Sequence, residues 1–363
     1  MSPRELHDGA ADGLTPLDSL DPGAARSFPD LVRAMEKTAF AGRQVGEAFD
    51  ILTEAARDDS CRVVLTVSGA MTVAKQGLIL CELIDRGIVH CVVATGALVA
   101  HGLTESIGRL HFRCDPDRPD ATLYREGYNR IYDTVEMEAN LNDVESLIKS
   151  VLCDTSPPDG AWSSSRLCHA IGRHLGERSE GKGILRSAYE HDVPVFIPAM
   201  TDSEIGLDMA LWAIDQEHPA SVDRSTLSLD EVFSSVPPFN PFLDLVAYAR
   251  FIGESKELGI LTIGGGVPRN WSQQVSPFFD LVCDRLGMNL RIPRFRYGVR
   301  ICPEPVHWGG LSGSSYSEGV SWGKFLPREE GGRFAEVLAD ATVVLPLLAK
   351  ALFEELDSTS GCS

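Results

Sequence analysis

The sequence predicts an α/β fold of the doubly wound kind, a mostly parallel sheet with helices on both faces. Three observations carry this. First, "CRVVLTVSG" (61–69) and "IVHCVVATG" (88–96) are short, β-branched runs that end in glycine and show no polar alternation. Second, "GLILCELIDRG" (77–87) between them has helical spacing and stops at Gly87. Strand, helix and strand with short joints build a parallel sheet covered on both sides. Third, the rhythm returns: "GILRSAYEHD" leads into "VPVFIPAMTD" (193–202), and "LVAYARFIGESKELG" into "ILTIGGG" (260–266).

The remaining elements follow in chain order. Residues 1–25, rich in Asp, Gly and Pro, predict a mobile tail. "VGEAFDILTEAARDD" (45–59) predicts a helix ahead of the first strand, and "RYGVRIC" (296–302) predicts a further strand. "DATVVLPLLAKALFEEL" (340–356) reads as a closing helix with Asp340 as N-cap and a kink at Pro346. Residues 116–130 and 217–240, rich in Pro, Asp or Ser, carry no pattern that assigns them. With no repeat and no clear linker, residues 26–363 are expected to form a single domain.

Composition bounds the function. Of 363 residues 44% are hydrophobic, enough for a sizeable core, and a formal net charge of −19 argues against nucleic acid as a main partner. Nine cysteines without a CxxC, several inside apolar runs, predict buried reduced thiols rather than disulfides or a zinc site. The nine histidines show no HxxxH or HxH spacing, so no metal is expected. With no leader-like start and no apolar run of membrane-spanning length, a soluble cytoplasmic protein is expected.

In an open parallel sheet, ligands bind beyond the carboxyl ends of the strands. Those ends here are "VSGAMT" (67–72), "ATGALVAH" (94–101), "PAMTDSEIG" (198–206) and "TIGGGVPRN" (262–270). All combine small residues with hydroxyls or acids, which lets a dinucleotide approach the backbone and leaves helix-start amides for its phosphates. There is no GxGxxG. A Walker loop fails as well: three residues, not four, separate Gly319 from Gly323, and Phe325 stands where a hydroxyl should hold Mg²⁺.

One further stretch stands out. "SYSEGVSWGKFLP" (315–327) places Lys324 beside Trp322 and near Glu318, with no other cation until Arg328. An ammonium partly desolvated beside an indole is easier to deprotonate, as a lysine nucleophile towards carbonyls or imines must be. An ordinary loop lysine is the alternative.

"GGLSGSSYSEGVSWGKF", followed by "ADATVVLPLL", resembles the C-terminal signature of deoxyhypusine synthases. The likeness extends through "TVSGAM", "VVATGALVAHGL", "REGYNRIYD", "VPVFIPAMTDSEIG" and "LTIGGGV", roughly residues 40–355 in the expected order. It implies a homotetramer of Rossmann-like subunits that binds NAD near subunit interfaces. In the implied chemistry NAD takes a hydride from spermidine, a lysine captures the butylamine part as an imine, and an acceptor amine then displaces that lysine. Lys324 matches the imine-forming lysine, Trp322 the indole along the polyamine, and Glu318 the acid near its amine. Ser68, Thr95, Gly96, Ala97, Asp202, Gly264, Gly265, Gly266, Ser312 and Asp340 match cofactor-side positions.

Three departures qualify the match. Asn270 stands where eukaryotic members have a proton-shuttling histidine, Leu311 replaces an acid that anchors an ammonium, and His101 replaces a cofactor-loop glutamate. An amide cannot take a proton as imidazole does, and leucine cannot pair an ammonium. His101 and His307 are the candidates for a substitute shuttle. The expected activity is therefore aminobutyl transfer from spermidine or putrescine to a small amine, as in homospermidine formation. Modification of a protein lysine and a catalytically silent NAD- or polyamine-binding homologue are the alternatives.

Overall fold

A computed structural model of the chain describes residues 4–178 and 181–360. Residues 1–3 of the expected tail, and Cys362, lie outside these. Among the described residues nine strands occur in chain order: β1 (Cys61–Val67), β2 (Cys91–Ala94), β3 (Phe112–Arg113), β4 (Tyr128–Ile131), β5 (Thr134–Met137), β6 (Val195–Phe196), β7 (Glu257–Ile263), β8 (Tyr297–Ile301) and β9 (Arg333–Val337). Six of them form one sheet in the order β6-β2-β1-β7-β8-β9, and every pairing in it is parallel. Counted within the sheet this is the doubly wound order 3-2-1-4-5-6, whose growth reverses between β1 and β7.

Alternate residues of the same strands pack on opposite faces. Val63, Leu65 and Val67 join one apolar cluster, while Val64, Cys91, Val93 and Ile260 join another. Burial on both faces is why these runs show no polar alternation. The register then fixes the site: Val67 pairs with Ala94 and Ile263, Ile263 with Ile301, and Ile301 with Val337. The carboxyl ends of five strands therefore line up along one sheet edge.

The structure departs from the sequence reading in places. Strand β6 keeps only two residues of the stretch 193–202, because Pro194 and Pro198 flank it and lack the amide a longer ladder needs; it accordingly lies at the sheet edge. The first of the two unassigned stretches contributes to a three-stranded antiparallel sheet in the order β3-β5-β4. Its hairpin turns at Tyr132-Asp133, with Tyr132 at φ 54°, where an Asn-Gly signal would be usual. Residues 217–240 hold a 3-10 turn, Arg224–Thr226, and the one-turn helix Leu229–Val232, closed by a capping box from Ser228 and Glu231. The helix expected over 45–59 runs Phe40–Arg57, and the closing helix runs Ala341–Ser360 through Pro346. All the cysteines among the described residues are free, and most are buried.

Candidate active site

The strand reversal brings the loops after β1 and β7 together. Ser68 donates its amide to the Ile263 carbonyl at 3.1 Å, and its hydroxyl accepts the Gly265 amide at 2.9 Å. Gly264 sits at φ +79°, and a side chain there would strike the Ser68 hydroxyl at 2.3 Å. At Gly265 a Cβ would lie 2.4 Å from Ser312 Cα, so only glycine admits the loop that follows β8. Gly266 opens the helix Gly266–Gln273.

The loop after β2 closes the other side. Thr95 donates its hydroxyl to the Gly69 carbonyl at 3.4 Å and, as N-cap of the helix Gly96–Ser106, accepts the Leu98 amide at 3.3 Å. A Cβ at Gly96 would meet the Ser203 hydroxyl at 2.1 Å, which seats the Asp202–Ser203 turn on that helix start. Ser68, Thr95, Gly96, Ala97, Asp202, the triple glycine and Ser312 thus share one sheet edge. Asp340 lies further along it, after β9. There its Oδ1 accepts from the Thr342 amide at 2.7 Å and from the Thr342 hydroxyl at 2.5 Å, which caps the closing helix and holds its carboxyl below the usual range.

The lysine segment is held from beneath by two arginines. Arg269, 2% exposed, donates to the Leu311 carbonyl at 3.1 Å, the Ser314 hydroxyl at 3.0 Å and the Ser314 carbonyl at 2.8 Å. It also lies 5.4 Å from the centroid of the buried Tyr316 ring. Arg300, 3% exposed, donates to the Ser314 carbonyl at 3.1 Å, to the Ser312 carbonyl and to Glu336 Oε2 at 2.6 Å. The other oxygen of Glu336 accepts the Tyr316 amide at 2.8 Å, at the start of the short helix Tyr316–Ser321. Ser315 caps that helix by accepting the Glu318 amide at 3.1 Å.

Gly323, at φ +68°, turns the chain out of this helix. The Lys324 amide donates back to the Gly319 carbonyl at 3.0 Å, and its carbonyl accepts the Phe295 amide at 3.0 Å. Its Nζ is 5.9 Å from the Trp322 ring centroid. Burial, reinforced by the positive Arg269 and opposed by Glu318, pushes the half-buried Lys324 below the ordinary lysine range. Trp322 is 63% exposed and so does not close Lys324 off from solvent.

Asn270 is half-buried on the helix Gly266–Gln273, and Leu311 is exposed. His307 is exposed on a 3-10 turn with its ring edge-on to Trp308. His101, by contrast, pairs with the buried Glu136 at 2.5 Å. Among the described residues, His101, His111 and Glu136 form the one group whose ligand-type atoms lie within 4.8 Å of one another, from three segments no spacing rule connects. Arg269, Arg300, Glu336, Glu136 and His111 were invisible as site residues in the sequence. A charge inside the apolar strand "YGVRI" was the available signal for Arg300.

Comparison with known proteins decides the family. The deoxyhypusine synthase family model matches residues 30–352. The chain belongs to the deoxyhypusine synthase family. It is 30% identical over 331 residues to "Probable deoxyhypusine synthase 2" of Methanosarcina acetivorans, covering 91% of this chain and 88% of that one. It is 30% identical to a "Deoxyhypusine synthase-like protein" of Coxiella burnetii, covering 88% and 84%. A crystal structure described as a "putative deoxyhypusine synthase" from Entamoeba histolytica shares the fold at TM-score 0.57 and 15% identity, over 93% of this chain and 97% of that one. Deoxyhypusine synthases are transferases that use spermidine. No helix among the described residues is long and apolar enough to cross a membrane.

Proposed function

We propose that the chain is an NAD-dependent aminobutyl transferase that stores the transferred group on Lys324 and delivers it to a small amine. The observation that supports it most is Lys324 itself: half-buried, its charge disfavoured, and flanked by Trp322 and Glu318 at an open edge. Depressing the ammonium raises the fraction of free amine able to attack an imine carbon. Trp322 offers an exposed apolar face to a polyamine stem, and Glu318 an exposed carboxylate to its ammonium.

The strand ends fit a dinucleotide. Two helices, Gly96–Ser106 and Gly266–Gln273, start at this edge, and the close approaches at Gly96, Gly264 and Gly265 leave the backbone bare. Ser68, Thr95, Ala97, Asp202, Gly266 and Ser312 would hold NAD there, with Asp340 at its margin. When bound, NAD supplies the acceptor for the amine's hydride. The small-amine reading draws on Asn270 and the exposed Leu311, which provide neither imidazole nor carboxylate. The exposed Phe242, Val246, Phe278 and Leu281 support a homo-oligomer, a tetramer in this reading, and residues 26–363 act in it as one domain.

The test is borohydride reduction in the presence of spermidine and NAD, followed by mass mapping. An aminobutyl adduct on Lys324 is expected, and product analysis with putrescine as acceptor should yield homospermidine. A second reading, a protein lysine as acceptor, is favoured by the names of the archaeal relatives. Transfer to a hypusine-bearing translation factor but not to putrescine would select it.

A further inference from the structure

Segments that share no motif converge on Glu136 of β5, whose side chain is 0% exposed. Its Oε2 pairs with His101 Nδ1 at 2.5 Å, and its Oε1 accepts the Thr104 hydroxyl at 2.5 Å and faces His111 Nε2 at 3.4 Å. Behind them Lys75 Nζ donates to His111 Nδ1 at 3.0 Å and to Glu105 Oε1 at 2.5 Å. Burial pushes the Glu136 carboxyl up, but the bonds from His101 and Thr104 and the nearby His111 ring outweigh it and bring it to about 2.

The donors fix the tautomers. An ammonium only donates, so His111 Nδ1 accepts and its proton sits on Nε2, towards Glu136. An ionised carboxylate only accepts, so His101 carries its proton on Nδ1 and a neutral ring keeps its lone pair on Nε2. A metal would need the His111 Nε2 lone pair while Lys75 occupies Nδ1, leaving a ring with no proton. Metal-bound imidazoles instead donate their second nitrogen to an acceptor. The cluster is wired for a proton, not for a cation.

His101 is also well placed. It lies four residues after Ala97 on the helix Gly96–Ser106, one turn along the same face, and its side chain is 22% exposed. Among the described residues its Nε2 has no protein partner. We propose that His101 is the general base of the amine-oxidation step and that Glu136 is its positioning residue. This rests on the NAD-dependent polyamine reading above. The substrate's ammonium gives its N–H proton to His101 Nε2; the neighbouring carbon loses a hydride, with its electron pair, to the nicotinamide; and C–N becomes C=N. The amine is oxidised by two electrons and the nicotinamide reduced by two.

The experiment uses the full chain with spermidine and NAD. His101→Gln should lower NADH formation about 10²- to 10⁴-fold with melting temperature and NAD binding preserved, and added imidazole should restore part of the rate to His101→Gly. Glu136→Gln should lower the rate less. Nitrogen-15 NMR of the wild type without substrate should show the proton on Nδ1 of His101 and on Nε2 of His111. Undiminished NADH formation by His101→Gln, the opposite His101 tautomer, or stoichiometric Co²⁺ binding abolished by His111→Ala would each overturn the dyad while leaving Lys324 trapping intact. Absence of both NADH and a trapped Lys324 in the wild type would remove the underlying reading as well.

Discussion

Arg300 and Glu336 face each other across β8 and β9 at 2.6 Å, and through this pair the sheet holds the lysine segment. Glu336 passes the contact on to the Tyr316 amide, and Arg300 to the Ser314 carbonyl. Arg300→Met leaves the carboxylate and two carbonyl acceptors without this donor. A loss of about 2–3 kcal/mol is expected, less than for a fully buried pair because Glu336 is partly exposed. Urea unfolding measures it. A change within error would mean that the segment does not depend on this anchor.

The approach of Gly265 to Ser312 gives a second prediction. Gly265→Ala puts a methyl 2.4 Å from a backbone atom, which must move because no flexible side-chain end can yield. NAD affinity should fall by at least about tenfold, equivalent to about 1.4 kcal/mol, and calorimetric titration reads it directly. Gly69→Ala is the comparison: nothing lies within 4 Å there, and its penalty is the φ of +74° alone.

A third prediction concerns acid. Glu136 is held at about 2 against an ordinary 4.5, so the folded state binds its proton less readily than the unfolded chain. Its stabilisation is complete above about 4.5 and is lost as pH falls from there through about 2. The shift corresponds to about 3 kcal/mol at most. Urea midpoints between pH 6 and pH 3 should fall more steeply for the wild type than for Glu136→Gln. Parallel curves would show that the carboxyl is not held down.

The sequence conveyed the sheet because its strands are buried on both faces and end in small residues, as "CRVVLTVSG" does. Lys324 and the glycine edges were legible for a related reason, since local composition announces desolvation and close approach. The anchoring of the lysine segment was not. Arg269, Arg300 and Glu336 come from a helix and two strands, and their meeting depends on strand order. The antiparallel sheet was hidden by a Tyr-Asp turn, and with it Glu136, which only the tertiary fold carries to His101.

Lys324→Arg separates a covalent lysine from a structural one. Arginine keeps the charge and much of the stem, but guanidinium stays protonated and forms no imine. Lys324 anchors the loop through its backbone, to Gly319 and Phe295, and those bonds survive the substitution. The variant should therefore fold with a stability change below about 1 kcal/mol and bind NAD normally. Its aminobutyl transfer should be abolished. NADH should still appear slowly with spermidine, because in the proposed mechanism hydride transfer precedes capture by the lysine. Since the pKa of Lys324 is lowered, wild-type capture should hold its rate to a pH below the ordinary lysine range, declining only as the ammonium forms. Transfer and NADH appearance, followed side by side in both proteins, decide the matter: substantial transfer by Lys324→Arg would end the covalent-lysine mechanism.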